Sequence, residues 1–331
     1  MKKKKSSAIK KIIQVVLLTI LMFYHIYPTG FPLFGFSFIF TSGLIGLGLY
    51  AYNRFPYSEV ASLGALYLMM VCWSLFCTFV NATNDSFIVD YTKSEVGWLF
   101  SAYLMIYLFF KIHPDGKPIY VAYYLIAVVA LQCIISLMMS QNEAVNDFFN
   151  DLQQLNPLEA FKRRQTEGNR LLGYGTAFFG AGVCCGTALI LLGYVLMSQK
   201  WNFWRLLLIA FLYAGIFYVG LLSARTTMVG GAASAILIVI LVFQRRAPLS
   251  QLSKFAGLGF MMFSIGYTLC FLYYPEFVDW AFEAFDSYEE YGSFQTDSSN
   301  GLAVMFIMPS TMSDWVVGWG IGRFLMSDVG Y

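Results

Sequence analysis

Five arginines in this sequence have surroundings that invite chemistry. Arg163, Arg164 and Arg170 crowd with Lys162 into Phe161-Lys-Arg-Arg-Gln-Thr-Glu-Gly-Asn-Arg170, Arg225 lies in Ser223-Ala-Arg-Thr-Thr-Met-Val-Gly230 between two apolar runs, and Arg323 follows Gly318-Trp-Gly-Ile-Gly322. A guanidinium keeps its charge at any working pH and presents paired N–H donors that match the oxygens of phosphate or carboxylate. Close to hydrocarbon it costs a few kcal/mol unless it is solvated or paired, so it faces a polar cavity. Anion binding is the chemistry these residues could perform. Two plainer roles compete with it. Lys162, Arg163 and Arg164 could touch phospholipid headgroups, as interfacial basic residues do, and Arg170 and Arg225 could pair with acids such as Glu167.

Little else in the chain forms a constellation. His25 and His113 stand alone, and each reads as structural although a histidine pKa suits proton transfer. The six cysteines (Cys72, Cys77, Cys133, Cys184, Cys185, Cys270) lie inside apolar runs without Cys-x-x-Cys spacing and read as small buried hydrophobes. Neither a metal, a disulfide nor a cofactor is expected. The Thr226 and Thr227 hydroxyls are expected to bond backbone carbonyls. Gly182 to Gly186 makes a Gly-x-x-x-Gly step that lets two helices approach closely in a bilayer. The glycines at 318, 320 and 322 lack the strand and βαβ setting of a dinucleotide fingerprint and read as an outer-loop turn.

The elements that position these residues follow from composition. Hydrophobic residues make up 58% and charged residues 12% of 331 positions, with a mean hydropathy of +0.63, against about 25% charged residues in an ordinary soluble domain. Spanning helices of about 20 apolar residues each account for such a chain. Apolar runs recur at roughly 12–27, 33–52, 58–80, 95–112, 118–139, 174–197, 205–222, 227–243 and 255–274. The expected fold is an all-α polytopic bundle of about nine spans, forming a single membrane domain over 1–331. The lysine-rich start has no small-residue cleavage site after its apolar run, so that run reads as a retained first span.

Lysine and arginine are retained on the cytoplasmic side of membrane proteins. With the amino terminus inside, the inner segments hold 14 of the 21 basic residues but only Glu59 and Asp115 of the 19 acidic ones, a net charge of +12 inside and −10 outside. The basic residues left outside include the arginines described above. Two outer segments, about 141–173 and 275–331, are too long for turns. Each holds apolar residues at helical spacing opposite polar ones, around 144–152 and 277–290, and is expected to carry an amphipathic helix.

The segments Arg170-Leu-Leu-Gly-Tyr-Gly-Thr-Ala-Phe-Phe-Gly-Ala-Gly182, Ser223 to Gly230, and Gly318-Trp-Gly-Ile-Gly-Arg-Phe-Leu-Met-Ser-Asp-Val-Gly-Tyr331 together resemble the Wzy-type O-antigen polymerases of Bacteroides-like bacteria. The likeness in order and spacing covers about the second half of the chain, and the first half agrees in hydropathy. It implies a multi-pass protein of the bacterial inner membrane, with a cytoplasmic amino terminus and two large periplasmic loops. The implied activity is transfer of a growing glycan from undecaprenyl pyrophosphate to the sugar end of a new lipid-linked repeat unit, without nucleotide sugar or metal. Arg170 and Arg225 would then stabilise the leaving pyrophosphate, with Arg163, Arg164 and Arg323 in support. Glu167, Asp314 and Asp328 are candidate bases for the acceptor hydroxyl, and Asp328 a further substrate-binding residue. Membrane lipids, a chain-length regulator and a flippase would be partners, and nucleic acid would not. Members of that family continue past an Asp-x-Gly-Tyr-like segment into further spans, so the stretch ending at Tyr331 reads as a truncated outer loop.

Two other functions fit the same hydropathy. An O-antigen ligase would move finished glycan to a lipid A core, but such a ligase would be expected to carry a histidine in the large outer loop and none follows His113. A transporter or flippase of lipid-linked oligosaccharide would call for charged or broken helices near the mid-plane, and the spans here are nearly free of charge.

Overall fold

A computed structural model of the chain describes residues 2–28, 38–53, 57–82, 87–153, 170–175, 178–244, 249–273, 275–293, 296, 300 and 311–317. Among them all regular structure is helical: α1 (Lys2–Ile26), α2 (Phe38–Asn53), α3 (Tyr57–Val80), α4 (Phe87–Ile112), α5 (Pro118–Gln141), α6 (Glu143–Gln153), α7 (Phe178–Ser198), α8 (Phe203–Ser223), α9 (Thr226–Phe243), α10 (Leu249–Tyr273), α11 (Pro275–Tyr291) and α12 (Met312–Val317). Each expected apolar run has a helix. Only a helix satisfies every backbone N–H and C=O within one segment once water is gone.

Seven of these helices are long and apolar enough to cross a bilayer, and the chain is a multi-pass membrane protein. The two other apolar helices are α2, with 16 residues, and α3, whose described apolar portion is Gly64–Val80. A rise of about 1.5 Å per residue makes α2 about 24 Å long, short of the roughly 30 Å hydrocarbon layer. Large apolar side chains such as Phe79 and Phe243 point outward, 85% and 83% exposed, which suits lipid as the surrounding solvent.

The chain forms two compact units. The first comprises Met1–Phe38 and Met105–Phe294. Its core joins α5, α7, α8 and α9 through Val129, Leu189, Ile216 and Ile238. The closest approach is between α7 and α9, where a Cβ on Gly186 would stand 3.1 Å from the Gly230 Cα. Of the Gly-x-x-x-Gly step, Gly186 meets Gly230 on the partner helix and Gly182 meets Ala224 and Thr226. Lower on the same seam the buried Ser234 hydroxyl donates to the Leu189 carbonyl at 2.8 Å.

The second unit comprises Ile39–Leu104 and Gln295–Tyr331. Gly43 faces Gly97 with only 3.0 Å between a built Cβ and the Gly97 carbonyl oxygen, and the Ser42 and Ser101 hydroxyls share a buried hydrogen bond of 2.7 Å. Asn81 donates to the Val317 carbonyl at 3.0 Å, tying α3 to α12.

Both expected amphipathic helices are present, as α6 and α11. Three local expectations need correction. The helix over 174–197 starts at Phe178, because Gly175 takes a left-handed turn at φ +65° that ends helical propagation. The link between α8 and α9 is two residues rather than four: Ala224 N–H closes on the Gly220 carbonyl at 2.8 Å, and Met228 N–H already bonds the Arg225 carbonyl at 2.9 Å. Of the cysteines, only Cys133 and Cys185 are buried, while Cys72 lies on the surface, where lipid replaces protein as its apolar neighbour.

Candidate functional site

The site is built around the α8–α9 turn. Ala224 is extended, with φ −161° and ψ 132°, and Arg225 is the N-cap of α9 with φ −58° and ψ −24°. This reversal sends α9 back along α7 and leaves the Arg225 side chain at the helix start. The first turn of α9 contains no acidic residue. A helix N-terminus carries partial positive charge, so Arg225 adds to a field of its own sign.

A six-residue strap, 170–175, brings the second arginine there. Leu171 N–H donates to the Leu222 carbonyl at 3.1 Å, which docks the strap three residues before Arg225. The strap is held from behind as well. Gln132 on α5 donates to the Tyr174 carbonyl at 2.9 Å, and Gly175 N–H donates to the Gln153 side chain of α6 at 3.2 Å. The buried Tyr174 ring stacks on Phe23 at 5.9 Å and meets Phe149 edge-on at 5.6 Å. A Cβ at Gly173 would displace the Gln132 amide, which holds the strap, and the Ser136 hydroxyl.

Arg170 and Arg225 are therefore neighbours. Burial, and then the Arg225 charge beside it, lower the Arg170 pKa from its ordinary value. Arg225 is paired with Glu283 of α11, Nη2 to Oε2, with the two side chains 18% and 28% exposed. Glu283 was not singled out from the sequence beyond its place on an amphipathic helix, since five other acids between 276 and 290 look the same there.

The chain matches no family model, no curated protein and no solved structure.

Of the residues expected to form the site, the structure joins Arg170 and Arg225. Lys162, Arg163, Arg164, Glu167, Arg323 and Asp328 lie outside the described residues, as do the glycines at 318, 320 and 322. Asp314 belongs to the second unit, in the first turn of α12, where its N–H is capped by the Thr311 hydroxyl at 3.1 Å.

The threonine expectation fails. The Thr226 and Thr227 hydroxyls are buried without a hydrogen-bond partner among the described residues. They occupy the first two positions of α9, where no preceding turn of that helix offers a carbonyl for back-bonding. The Thr226 hydroxyl faces Gly182 and Thr227 lies against Gly220. His113 bonds the Tyr124 hydroxyl at 2.9 Å and packs on Tyr120 and Phe109, a structural role at an inter-helix turn. Among the described residues no cluster of His, Cys, Asp and Glu is arranged to hold a metal.

Proposed function

We propose that this protein polymerises undecaprenyl-pyrophosphate-linked oligosaccharide repeat units into surface polysaccharide, as a Wzy-type polymerase at the periplasmic face of the bacterial inner membrane with a cytoplasmic amino terminus. The observation that carries the reading is the juxtaposition of Arg170 and Arg225 at the α8–α9 turn. Two guanidiniums repel each other, and the helix start beneath them has the same sign. A dianionic group that meets both guanidiniums at once relieves such repulsion. A diphosphate offers two phosphates to two planar forks.

The reaction is displacement at an anomeric carbon. The acceptor hydroxyl forms the new C–O bond, its proton passes to a carboxylate, and the bond to the lipid diphosphate breaks with its electrons. Negative charge grows on the departing diphosphate, and donors already in place stabilise it without reorganisation. Arg170 and Arg225 take that role. Arg163, Arg164 and Arg323 would extend the anion site, and Glu167, Asp314 and Asp328 are the candidate bases. A chain-length regulator and a flippase would be functional partners.

The test is the glycan ladder of cells that depend on this protein. Arg225→Ala and Arg170→Ala should each give single-repeat chains, with lipid-linked repeat units accumulating. A normal ladder from both variants sinks the reading. Loss of glycan attachment with intact lipid-linked polymer points instead to a ligase.

A further inference from the structure

The end of the first unit away from the Arg170 and Arg225 turn collects positive charge of its own. Arg205 lies in the first turn of α8, whose last residue is Ser223. At about 1.5 Å per residue, Arg205 and the Arg225 turn stand roughly 30 Å apart along the bundle. Lys117 at the N-cap of α5, Lys200 in the link from α7 to α8, and Lys11 on α1 belong to the same end as Arg205.

Side-chain contacts tie these positions into one rim. Lys11 is close enough for its charge to act on the His113 ring. That ring packs on Tyr120 at 5.1 Å, and Tyr120 meets Tyr123 at 6.5 Å. The Tyr123 hydroxyl accepts from the Gln199 amide at 3.1 Å and feels the Arg205 charge. The rim thus passes from α1 over the first turn of α5 to the link between α7 and α8. One acid, Asp115, stands beside His113. Among the described residues no ion pair engages Lys11, Lys117, Lys200 or Arg205. α5 adds to the same field, because its first turn holds no acid and its N-cap makes no side-chain hydrogen bond. The positive end of a 24-residue helix therefore points into the rim.

Next to the rim the surface turns apolar. Tyr123, Leu131, Ile134 and Met138 are all exposed, and their spacing places them within about 80° of one another around α5, in a strip about 22 Å long. One leaflet holds roughly 15 Å of hydrocarbon, half of the bilayer's 30 Å or so. Trp204, exposed beside Arg205, is of the type that settles where headgroups meet hydrocarbon.

We infer that this rim seats an anionic diacyl phospholipid, its phosphodiester held by Lys117, Lys200 and Arg205 at the start of α5 and one acyl chain laid along the α5 strip. Charge complementarity selects the headgroup. A zwitterionic lipid brings an ammonium into a field that is already positive, whereas an anionic one brings a negative charge with no cation of its own. The strip selects a lipid over a soluble phosphate, since an attached chain covers apolar surface that a free anion leaves bare. The seat is independent of the polymerase reading and uses none of the residues that carry it.

Native mass spectrometry of the full-length protein, freed of lipid in detergent, tests the seat. Dioleoyl phosphatidylglycerol should bind at least about tenfold tighter than dioleoyl phosphatidylcholine. Lys117→Gln and Arg205→Gln should each weaken phosphatidylglycerol about fivefold and leave phosphatidylcholine unchanged. The two positions lie on different elements, so either variant alone carries the test. Lys254→Gln, which removes one charge from α10, should change neither lipid. Excess inorganic phosphate should leave the bound lipid in place.

Equal binding of the two lipids by the wild type overturns the assignment. So does a Lys254→Gln loss as large as those of the rim variants, because the preference is then a diffuse property of the charged end. Displacement by inorganic phosphate overturns it as well, by reducing the seat to an anion site to which the acyl chain contributes nothing.

Discussion

The Arg225 guanidinium and the Glu283 carboxylate form an ion pair across 58 residues of sequence, joining the α8–α9 turn to the amphipathic helix α11. Both side chains are largely shielded, so the pair differs from exposed surface pairs, which contribute about 0–1 kcal/mol. It clamps α11 over the turn and orients one edge of the arginine.

Glu283→Gln removes the charge and keeps the shape. Thermal unfolding in detergent should show a loss of about 1–3 kcal/mol, since a shielded guanidinium loses its anionic partner. Hydrogen exchange should rise across Pro275–Tyr291 and not in α7. An unchanged midpoint would mean that the pair is in effect solvated.

The α7–α9 seam depends on two facing glycines. Gly186→Ala places a methyl group against the Gly230 backbone and should cost about 1–3 kcal/mol by overpacking. Gly180→Ala, on the same helix with open space around its Cβ, should be neutral or slightly stabilising. Equal effects of the two variants would show that close approach is not what the seam requires.

Gly173→Ala tests the strap. The new methyl would displace the Gln132 and Ser136 side-chain ends, breaking the Gln132 bond to the Tyr174 carbonyl that holds residues 170–175 and loosening the register of Arg170 with Arg225. Pyrophosphate binding should fall by about tenfold or more although no charged group has been changed. Binding equal to that of the wild type would show that the strap does not position the arginine.

His113 sits beyond the end of α4, and burial together with the Lys11 charge lowers its pKa from the ordinary value of 6.5. The unfolded chain therefore binds a proton at higher pH than the folded one. Stability should be flat above about pH 7 and fall as pH drops through about 6.5 toward the folded value. Thermal midpoints between about pH 5 and 8 measure this, and His113→Phe should lessen the slope over that window. A wild-type slope of the opposite sign would contradict it.

The helices were legible because their cause is local. An apolar run long enough for the bilayer has few alternatives to a helix, so every expected run from α1 to α10 has one. The ends were less legible. The start of α7 depends on a left-handed Gly175 and on Gln132 and Gln153 bonding the strap from two other helices. The amphipathic periods of α6 and α11 were visible as patterns, but not the surfaces they meet.

Arg170 and Arg225 were visible because they break the charge bias of the chain, an argument about composition and side of the membrane. That they are neighbours was not visible, since it follows from Leu171 docking on Leu222 across the whole of α7 and α8. The acid that pairs with Arg225 was equally hidden. Glu276, Asp279, Glu283, Asp286, Glu289 and Glu290 share one stretch and one chemistry. Local pattern decides what a residue is and which face of its helix it occupies. Only the packing of α11 against α8 and α10 brings Glu283, 58 residues away, to the guanidinium.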